Sequence, residues 1–392
     1  MEGADGQTSM NAIQGMYKVS IFESMRDVPL EEWNAVAKPN SCTYSPEFLE
    51  MMESSRTDDC SHGYVLVYDD NDHPVSLTYF TVSRTDIAIF ASGWLRAALT
   101  TIRRLFPNFL KIRLLECALP ISSEHGLIVG EQAYTTRSIQ ILGKTLLDIA
   151  RRHGVFLVII GAFEPQDHPN EAWLKDLGYQ LVPCLPVATL DIAWESPAAY
   201  LAAMKSYYRS KLQRHLRINQ SNEIRHELRD NFDDLADVLW QQWVVVHEHA
   251  TEYNGETLTP DFYKDFSLMF GTRSKVLLIY SKDELVGHAL LLLDGDTLRW
   301  RNFGRAKAEN DSLYIYVCHK VVETAINLGV KRLDMGVTTY AVKRDFGASI
   351  VPRKIAIRFS WDIFNRHVAW LYSLLNHVPE IQGKDIFKKS GQ

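Results

Sequence analysis

The chain has no two cysteines placed to act together. Its five, Cys42, Cys60, Cys117, Cys184 and Cys318, are scattered, odd in number and without a Cys-x-x-Cys spacing. Neither a disulfide framework nor a thiolate metal site is indicated, and a reducing, cytoplasmic setting is expected. Long apolar runs are missing as well. The longest, 155–163, falls short of the roughly 18 residues of a membrane span, so no spanning segment is expected. Residues 1–15 are polar and acidic, with neither the basic start nor the apolar core of a signal peptide, and read as a disordered tail. No Gly-x-Ser-x-Gly, His-Glu-x-x-His or Walker pattern occurs. Net positive charge is also lacking: −6 over 392 residues argues against a bulk nucleic-acid binder. What remains, 46% hydrophobic and 23% charged, is the composition of a soluble globular chain long enough for two or three domains.

What is present is a repeat. Gly154 and Gly161 stand seven positions apart, as do Gly329 and Gly336; Gly178 and Pro183 stand five apart, as do Gly347 and Pro352. Each spacing sits in the same context, a helix-like stretch ending in glycine, an apolar run, and a second short helix ending in glycine. Self-similarity of this length implies one supersecondary unit used twice, with a ligand cleft expected where the copies meet.

Alternation and turn signals predict strands at 64–68 and 75–82 around an Asp-Asp-Asn-Asp turn, matched later by 276–280 and 285–293 around Lys282-Asp283-Glu284. A third strand is expected at 297–303. A helix over 312–328 follows, because Val317/Cys318, Val321/Val322 and Ala325/Ile326 recur every four residues as one buried stripe. Gly329 is its natural stop. A strand at 330–335, a short helix at 340–346 and a closing strand at 352–361 complete this half. The first half carries the corresponding helix at 136–153 and strand at 155–162, with a longer middle at 87–130. Within that middle, 94–104 alternates basic and apolar residues: a surface helix, a substrate lid or an interfacial patch. Ser196-Pro197 opens a long helix through Asn219. From Lys205 to Arg229 seven basic residues face two acidic ones; this is either a solvated helix face or a cradle for a polyanion, with Arg209 and Arg214 as its candidate contacts.

Several tempting residues read as structural. His247 and His249 are two apart and point to different faces of a helix, so no metal site is expected. His288 lies on an apolar strand as a core histidine, and Cys318 lies on the buried stripe as an inert thiol.

The order of these elements, together with Tyr200-Leu201-Ala202-Ala203-Met204, Arg209 to Arg214, Asn302-Phe303-Gly304, Leu333-Asp334-Met335-Gly336 and Lys343 to Ala348, resembles the Gcn5-related N-acetyltransferase (GNAT) superfamily. Within it the chain is similar to the double-domain branch that includes Fem-type aminoacyl transferases and related bacterial acyltransferases. The resemblance covers 195–361 well and the first half as a diverged copy. It implies an α/β fold with mixed α+β sheets, a tandem duplicated acyl-CoA N-acyltransferase fold. Boundaries are expected at 1–15 (tail), 16–194 and 195–375 (the two GNAT-like domains) and 376–392 (C-terminal tail). It also implies an N-acyltransferase moving an acyl group from acyl-CoA or a carrier-protein thioester to an amine of a small molecule or a cell-envelope or secondary-metabolite precursor. An aminoacyl-tRNA-dependent, Fem-like transferase is the alternative, and a non-catalytic binding module the third reading. The donor would be a co-substrate, with no permanently bound cofactor; the oligomeric state stays open.

In this fold acceptor and donor meet where two strands splay apart, here 299–303 and 331–336. The resemblance therefore points to Arg301 and Asn302 at the open end of the first strand. It points to Asp334 as amine orienter or base, or else as a helix cap or the ion-pair partner of Arg332 or Lys343. Tyr314 is the candidate leaving-group acid, or else a core residue. Gly304, Arg305 and the Ser312 helix start are expected to hold the donor's anionic part, although the diphosphate loop reads Asn302-Phe303-Gly304-Arg305-Ala306-Lys307 with one glycine. Gly336, Tyr340 and Lys343 are expected to hold substrate, unless Lys343 merely faces solvent.

Overall fold

Both halves of the chain build the same run of elements from the same local signals. The structure, a computed structural model, describes residues 12–14, 17–37, 42–55, 60–86, 88, 91, 93–118, 125–130, 135–165, 168–250, 257–307, 312–376, 378 and 381–388. In chain order the elements are β1 (Ala12–Gln14), β2 (Tyr17–Phe22), α1 (Leu30–Val36), α2 (Pro46–Ser54), β3 (Cys60–Tyr68), β4 (Pro74–Asp86), α3 (Gly93–Leu105), β5 (Lys111–Cys117), β6 (Leu127–Val129), α4 (Thr135–Arg152), β7 (Leu157–Phe163), α5 (His168–Asp176) and β8 (Gln180–Asp191). They continue as α6 (Pro197–Ala203), α7 (Ser206–Ser221), β9 (Ile224–Arg229), α8 (Ala236–Glu248), α9 (Asp261–Phe270), β10 (Ser274–Ser281), β11 (Glu284–Asp294), β12 (Thr297–Arg305), α10 (Leu313–Asn327), β13 (Arg332–Asp334), α11 (Tyr340–Asp345), β14 (Ser349–Phe359), α12 (Asp362–Asn365) and α13 (Val368–Leu375).

Contacts divide the chain into two units, Met1–Cys184 with Pro352–Val378, and Leu185–Val351 with Pro379–Gln392. In the first unit the strands run β1-β2-β3-β4-β5-β7-β14, with β6 also on β4. In the second they run β8-β13-β12-β11-β10-β9. Each unit has one parallel pair, β5 with β7 and β12 with β13. A parallel neighbour needs a crossover element, and α4 and α10 supply it. Tandem mixed sheets with one crossover each are what the repeat implied.

The repeated glycines now have a physical reason. Gly154, Gly178, Gly329 and Gly347 all have positive φ. The residue after each donates its N–H five positions back, Val155 to Ala150, Tyr179 to Leu174, Val330 to Ala325 and Ala348 to Lys343. Four helices thus end in one Schellman-type cap, which needs a residue tolerant of the left-handed region. The other two marked glycines differ: Gly336 has φ +71°, whereas a Cβ on Gly161 would lie 2.3 Å from Ile355 Cγ2.

Each unit packs its crossover helix on its own core. In the second, Val317, Cys318, Val321, Val322, Ala325 and Ile326 of α10 are buried with Leu298, Leu291 and Leu333 of the strands, the stripe expected from their spacing. In the first, Ile139, Leu142, Leu146 and Ala150 of α4 pack with Val65, Leu115 and Val158.

Three boundaries differ from expectation. Pro352–Val378 groups with the first unit rather than with 195–375, because β14 pairs with β7 from Lys354 to Phe359. The expected C-terminal tail is packed at 381–388: Ile386 is fully buried, its carbonyl accepts the Lys205 N–H, and Lys388 N–H donates to Ala203 O. The expected single helix to Asn219 is two, α6 and α7, broken where Met204 turns extended and bridges to Phe387. Most of the expected N-terminal tail lies outside the described residues, but 12–14 form β1 against β2.

Candidate active site

β12 and β13 run together for only three positions, Thr297 with Arg332, Leu298 with Leu333 and Arg299 with Asp334. Beyond Asp334 the chain stays with β8, through Met335 N–H to Ala188 O and Ala188 N–H to Gly336 O. Residues 300–305 of β12 continue alongside β11 alone. The strands therefore splay at Arg299, and Arg301, Asn302, Gly304 and Gly336 stand at or beyond the fork.

A bulge re-aims β12 at that point. Its register with β11 shifts between Leu291 with Trp300 and Leu290 with Asn302, so Arg301 is the extra residue. The shift reverses side-chain alternation. Trp300 and Phe303 both lie against Tyr314 of α10, with ring centroids 5.7 and 5.1 Å away. Asn302 and Gly304 are thereby turned to the opposite face, toward α8 and α9.

On that face lies a buried polar chain that sequence reading missed. Gln242 Nε2 donates to Leu285 O at 2.8 Å, so Gln242 Oε1 accepts from His288 Nδ1 at 2.9 Å. His288 Nε2 is then the acceptor, taking the Tyr263 hydroxyl proton at 2.9 Å. Asn302 lies beside the Tyr263 hydroxyl, its own buried Nδ2 without a hydrogen-bond partner among the described residues. His288 is wholly buried, and burial lowers its pKa to about 3, so it stays neutral. Burial, with a smaller opposing effect from Asn302, raises the Tyr263 pKa far above the ordinary tyrosine value. Gln242, His288 and Tyr263 are a fixed string of donors and acceptors that backs β12 at Asn302.

Gly304 belongs to this network by shape. A Cβ there would lie 2.1 Å from His288 Cε1 and 3.0 Å from the Gln242 backbone. Its lack of a side chain is filled by the histidine directly across the ladder, so the glycine has a packing reason and does not by itself mark a diphosphate cradle. The turn between β12 and α10 includes 308–311, outside the described residues. At the start of α10, Asn219 Nδ2 reaches Ser312 O at 3.3 Å, tying the end of α7 to that helix start. Arg214 sits about 8 Å and Arg209 about 15 Å along α7 from Asn219 at helical rise, so only the nearer is brought toward Ser312. Neither has an acidic partner among the described residues, whereas Lys205, Lys211, Arg225 and Arg229 pair with Asp385, Asp345, Asp283 and Asp234. Most of the basic stripe is thus neutralised within the chain.

Asp334 is locked. Its Oδ1 accepts the Gly336 N–H at 2.8 Å, and its Oδ2 lies 3.6 Å from Arg299, which also bonds Asp294 at 2.8 Å. This pins the fork; neither Arg332 nor Lys343 is its partner, since Arg332 pairs with Asp191. Lys343 is buried and donates to Val337 O at 2.5 Å, away from any solvated face. Tyr340 is buried with its hydroxyl on Pro186 O at 2.7 Å. Between Gly336 and Tyr340, Thr338 and Thr339 both hold positive φ, +62° and +49°, a strained turn of the kind found at ligand sites. The Tyr314 hydroxyl is within hydrogen-bond reach of Cys318, whose thiol burial pushes up to about 12. That cysteine is inert, as expected. Arg305 is half-buried at the end of β12. Among the described residues no cluster of His, Cys, Asp or Glu fits a metal, and no helix is long and apolar enough to cross a membrane.

Comparison with known proteins fits this geometry. Over most of its length the chain is 26% identical, across 342 residues, to putative 8-amino-7-oxononanoate synthase 2 of Mycobacterium tuberculosis; the match takes in 84% of this chain but only 44% of that protein. The chain thus spans less than half the length of the curated relatives it matches. Solved structures share the fold at low identity. The C-terminal domain of a putative lysylphosphatidylglycerol synthetase from Agrobacterium fabrum matches at 9% identity and TM-score 0.52, over 88% of this chain and 96% of that one. A tandem GNAT protein from the clavulanic acid biosynthesis pathway matches at 9% and 0.52, over 88% and 99%. FemX matches at 8% and 0.50, over 83% and 96%. The FemAB-like profile, described as peptidoglycan biosynthesis/recognition, matches residues 24–351. The chain belongs to the FemAB-like family and has the tandem GNAT fold.

Proposed function

We propose that the chain transfers an acyl group from an activated donor directly to an amine, at the fork between β12 and β13 of the second unit. The observation that carries this reading is the bulge at Arg301, where a strand leaves its parallel partner. A bulged residue drops out of the ladder, which re-aims its side chain at the fork, where a donor carbonyl would sit. The neutral amine attacks the donor carbonyl carbon, the C–S or C–O bond of the donor breaks, the leaving thiolate or ribose oxygen takes the Tyr314 hydroxyl proton, and the proton lost by nitrogen restores that hydroxyl. Arg301 stabilises the developing oxyanion, Tyr314 on the α10 face supplies the leaving-group proton, Asn302 on the opposite face steadies the bulge, and Asp334 acts through the backbone by holding the Gly336 turn. Gly304 and Arg305 at the end of β12, and Ser312 with Arg214, are the proposed contacts of the donor's anionic part, with Arg209 farther along the same helix. Gly336, Tyr340 and Lys343 shape the acceptor side.

A thioester of coenzyme A or of a carrier protein is the first donor class. A second reading, aminoacyl transfer from tRNA onto a peptidoglycan precursor, is favoured by the family match; the internal pairing of four basic residues in the Lys205–Arg229 stripe weighs against a large RNA footprint. Incubation with coenzyme A thioesters and charged tRNA in parallel, read by mass spectrometry with a panel of amines, tests both. Consumption of thioester with amide formed is expected. Consumption of charged tRNA alone gives the second reading. Consumption of neither, with a ligand-induced rise in melting temperature, would mean a binding module and overturn both.

A further inference from the structure

Large exposed apolar side chains gather on two neighbouring helices of the first unit. Trp94 and Leu105 of α3 are 78% and 79% exposed, and Trp370 and Leu374 of α13, with Phe106 just past α3, are also open to solvent. The two helices pack on each other through Leu95 and Leu99 of α3 and Leu371 and Leu375 of α13. At about 100° per residue, the apolar arc of α3 runs from these packed leucines through Ile102 and Ala98 to Leu105 and Trp94. Only one edge of that arc is covered. On α13 the arc likewise passes from Leu371 to the exposed pair Leu374 and Trp370.

The other side of α3 is basic. Arg96, Arg103 and Arg104 occupy the opposite arc, and residues 84–113 hold six basic side chains against one acidic. That acid, Asp86, is taken up by Arg103 in two bonds of 2.7 Å. A helix with a wide apolar arc carrying tryptophan, flanked by arginine, is suited to lie in a lipid interface.

We propose that the α3–α13 face of the first unit docks on an anionic lipid surface. Two occupants compete, and charge separates them. A second copy would bring the same face to a self-complementary contact and set one basic arc beside another. Anionic headgroups pair with the arginines while acyl chains take Trp94, Leu105 and Trp370. None of these side chains belongs to the second unit, so the inference stands apart from the acyl-transfer reading.

The test is sedimentation of the full chain with vesicles of phosphatidylglycerol and phosphatidylethanolamine, against vesicles of phosphatidylcholine alone, with light scattering on the free protein. Binding to the anionic vesicles that weakens with salt is expected, with little on neutral ones. The pair Trp94→Glu and Leu105→Glu should cut partitioning about tenfold or more with the melting temperature unchanged. Arg104→Glu, which leaves the apolar arc intact, should weaken binding to anionic vesicles alone. Absence of vesicle binding by the wild type, or equal binding by all variants, would overturn the proposal. So would a wild-type dimer that the double variant turns into a monomer while no vesicle is bound, which would make the face a self-association surface.

Discussion

The two units share a frame and differ at the fork. In the first, β5 pairs with β7 from Leu114 with Leu157 to Cys117 with Ile160 and ends there, and the next residue, Ala118, bridges to His125. That end is apolar among the described residues: Leu115, Cys117, Leu127 and Phe163 share one cluster, and the Cys117 thiol bonds Thr78. In the second, β12 runs on for six residues past its last pair with β13, bulges at Arg301, and is backed by Gln242, His288 and Tyr263. A fold can be duplicated through its caps and crossovers while chemistry settles on one copy. A satisfied buried polar chain is demanding to build and costly to break, and its place behind β12 marks where the constraint lies at this fork.

That contrast can be broken by experiment. The largest expected effect is at the pin of the fork. Asp334→Ala leaves the Gly336 N–H without its acceptor and removes a carboxylate from half-buried Arg299. It should destabilise by about 3 kcal/mol in chemical denaturation, and Asp334→Asn, which keeps an acceptor, should recover part. The matching position in the first unit, Ile159, two before Gly161 as Asp334 is two before Gly336, is apolar and carries no such pin. Gly304→Ala comes next: its Cβ enters the His288 ring, and a loss of about 1–3 kcal/mol is expected, with faster hydrogen exchange in β11 and β12 than in β4 and β5.

Acid should separate the units as well. His288 and His319 are buried, and burial lowers their pKa values to about 3 and about 4. In the unfolded chain both titrate near about 6.5. Between those limits the unfolded state binds more protons, so stability is full above pH 6.5 and falls as pH drops. Each histidine contributes a loss of about 1.4 kcal/mol per pH unit. No described histidine of the first unit is buried, so exchange at pH 5 against pH 7 should quicken in the second unit first. His288→Gln should flatten that response, and an equal response in both units would contradict it. The smallest effect is a matched pair: Gly154→Ala and Gly329→Ala have open space for a Cβ and differ from wild type only by the left-handed backbone. Each should cost about 1 kcal/mol, and unequal costs would show that the copies are less alike than their caps.

How much of this was legible follows from how local each signal is. The cap glycines, the four-residue rhythm of α10 and the hairpin turns are written within a few residues of where they act, so the duplicated fold could be read directly. The memberships of β8 and β14 could not, because nothing in Lys354 to Phe359 names β7 as a partner. At the site, the fork was placed correctly at 299–303 and 331–336, yet the bulge was hidden, being a one-residue register shift with no composition cue. His288 read as a core histidine and is one; its importance comes from Tyr263, Gln242 and Asn302, which arrive from three other elements. The one signal available was the hairpin around Gly295, whose pairing sets His288 across from Gly304. Lys343 is expected from sequence to hold substrate or else to face solvent, as cations at helix ends usually do, whereas here its ammonium closes the Val337 turn.

The most direct measurement is hydrogen exchange of the full chain with and without the donor it consumes. Slowed exchange at 300–307 and 336–340, with 111–118 unchanged, is the expected result. Protection confined to the first unit, or absent from β12 while turnover proceeds, would contradict the assignment of the reaction to this fork.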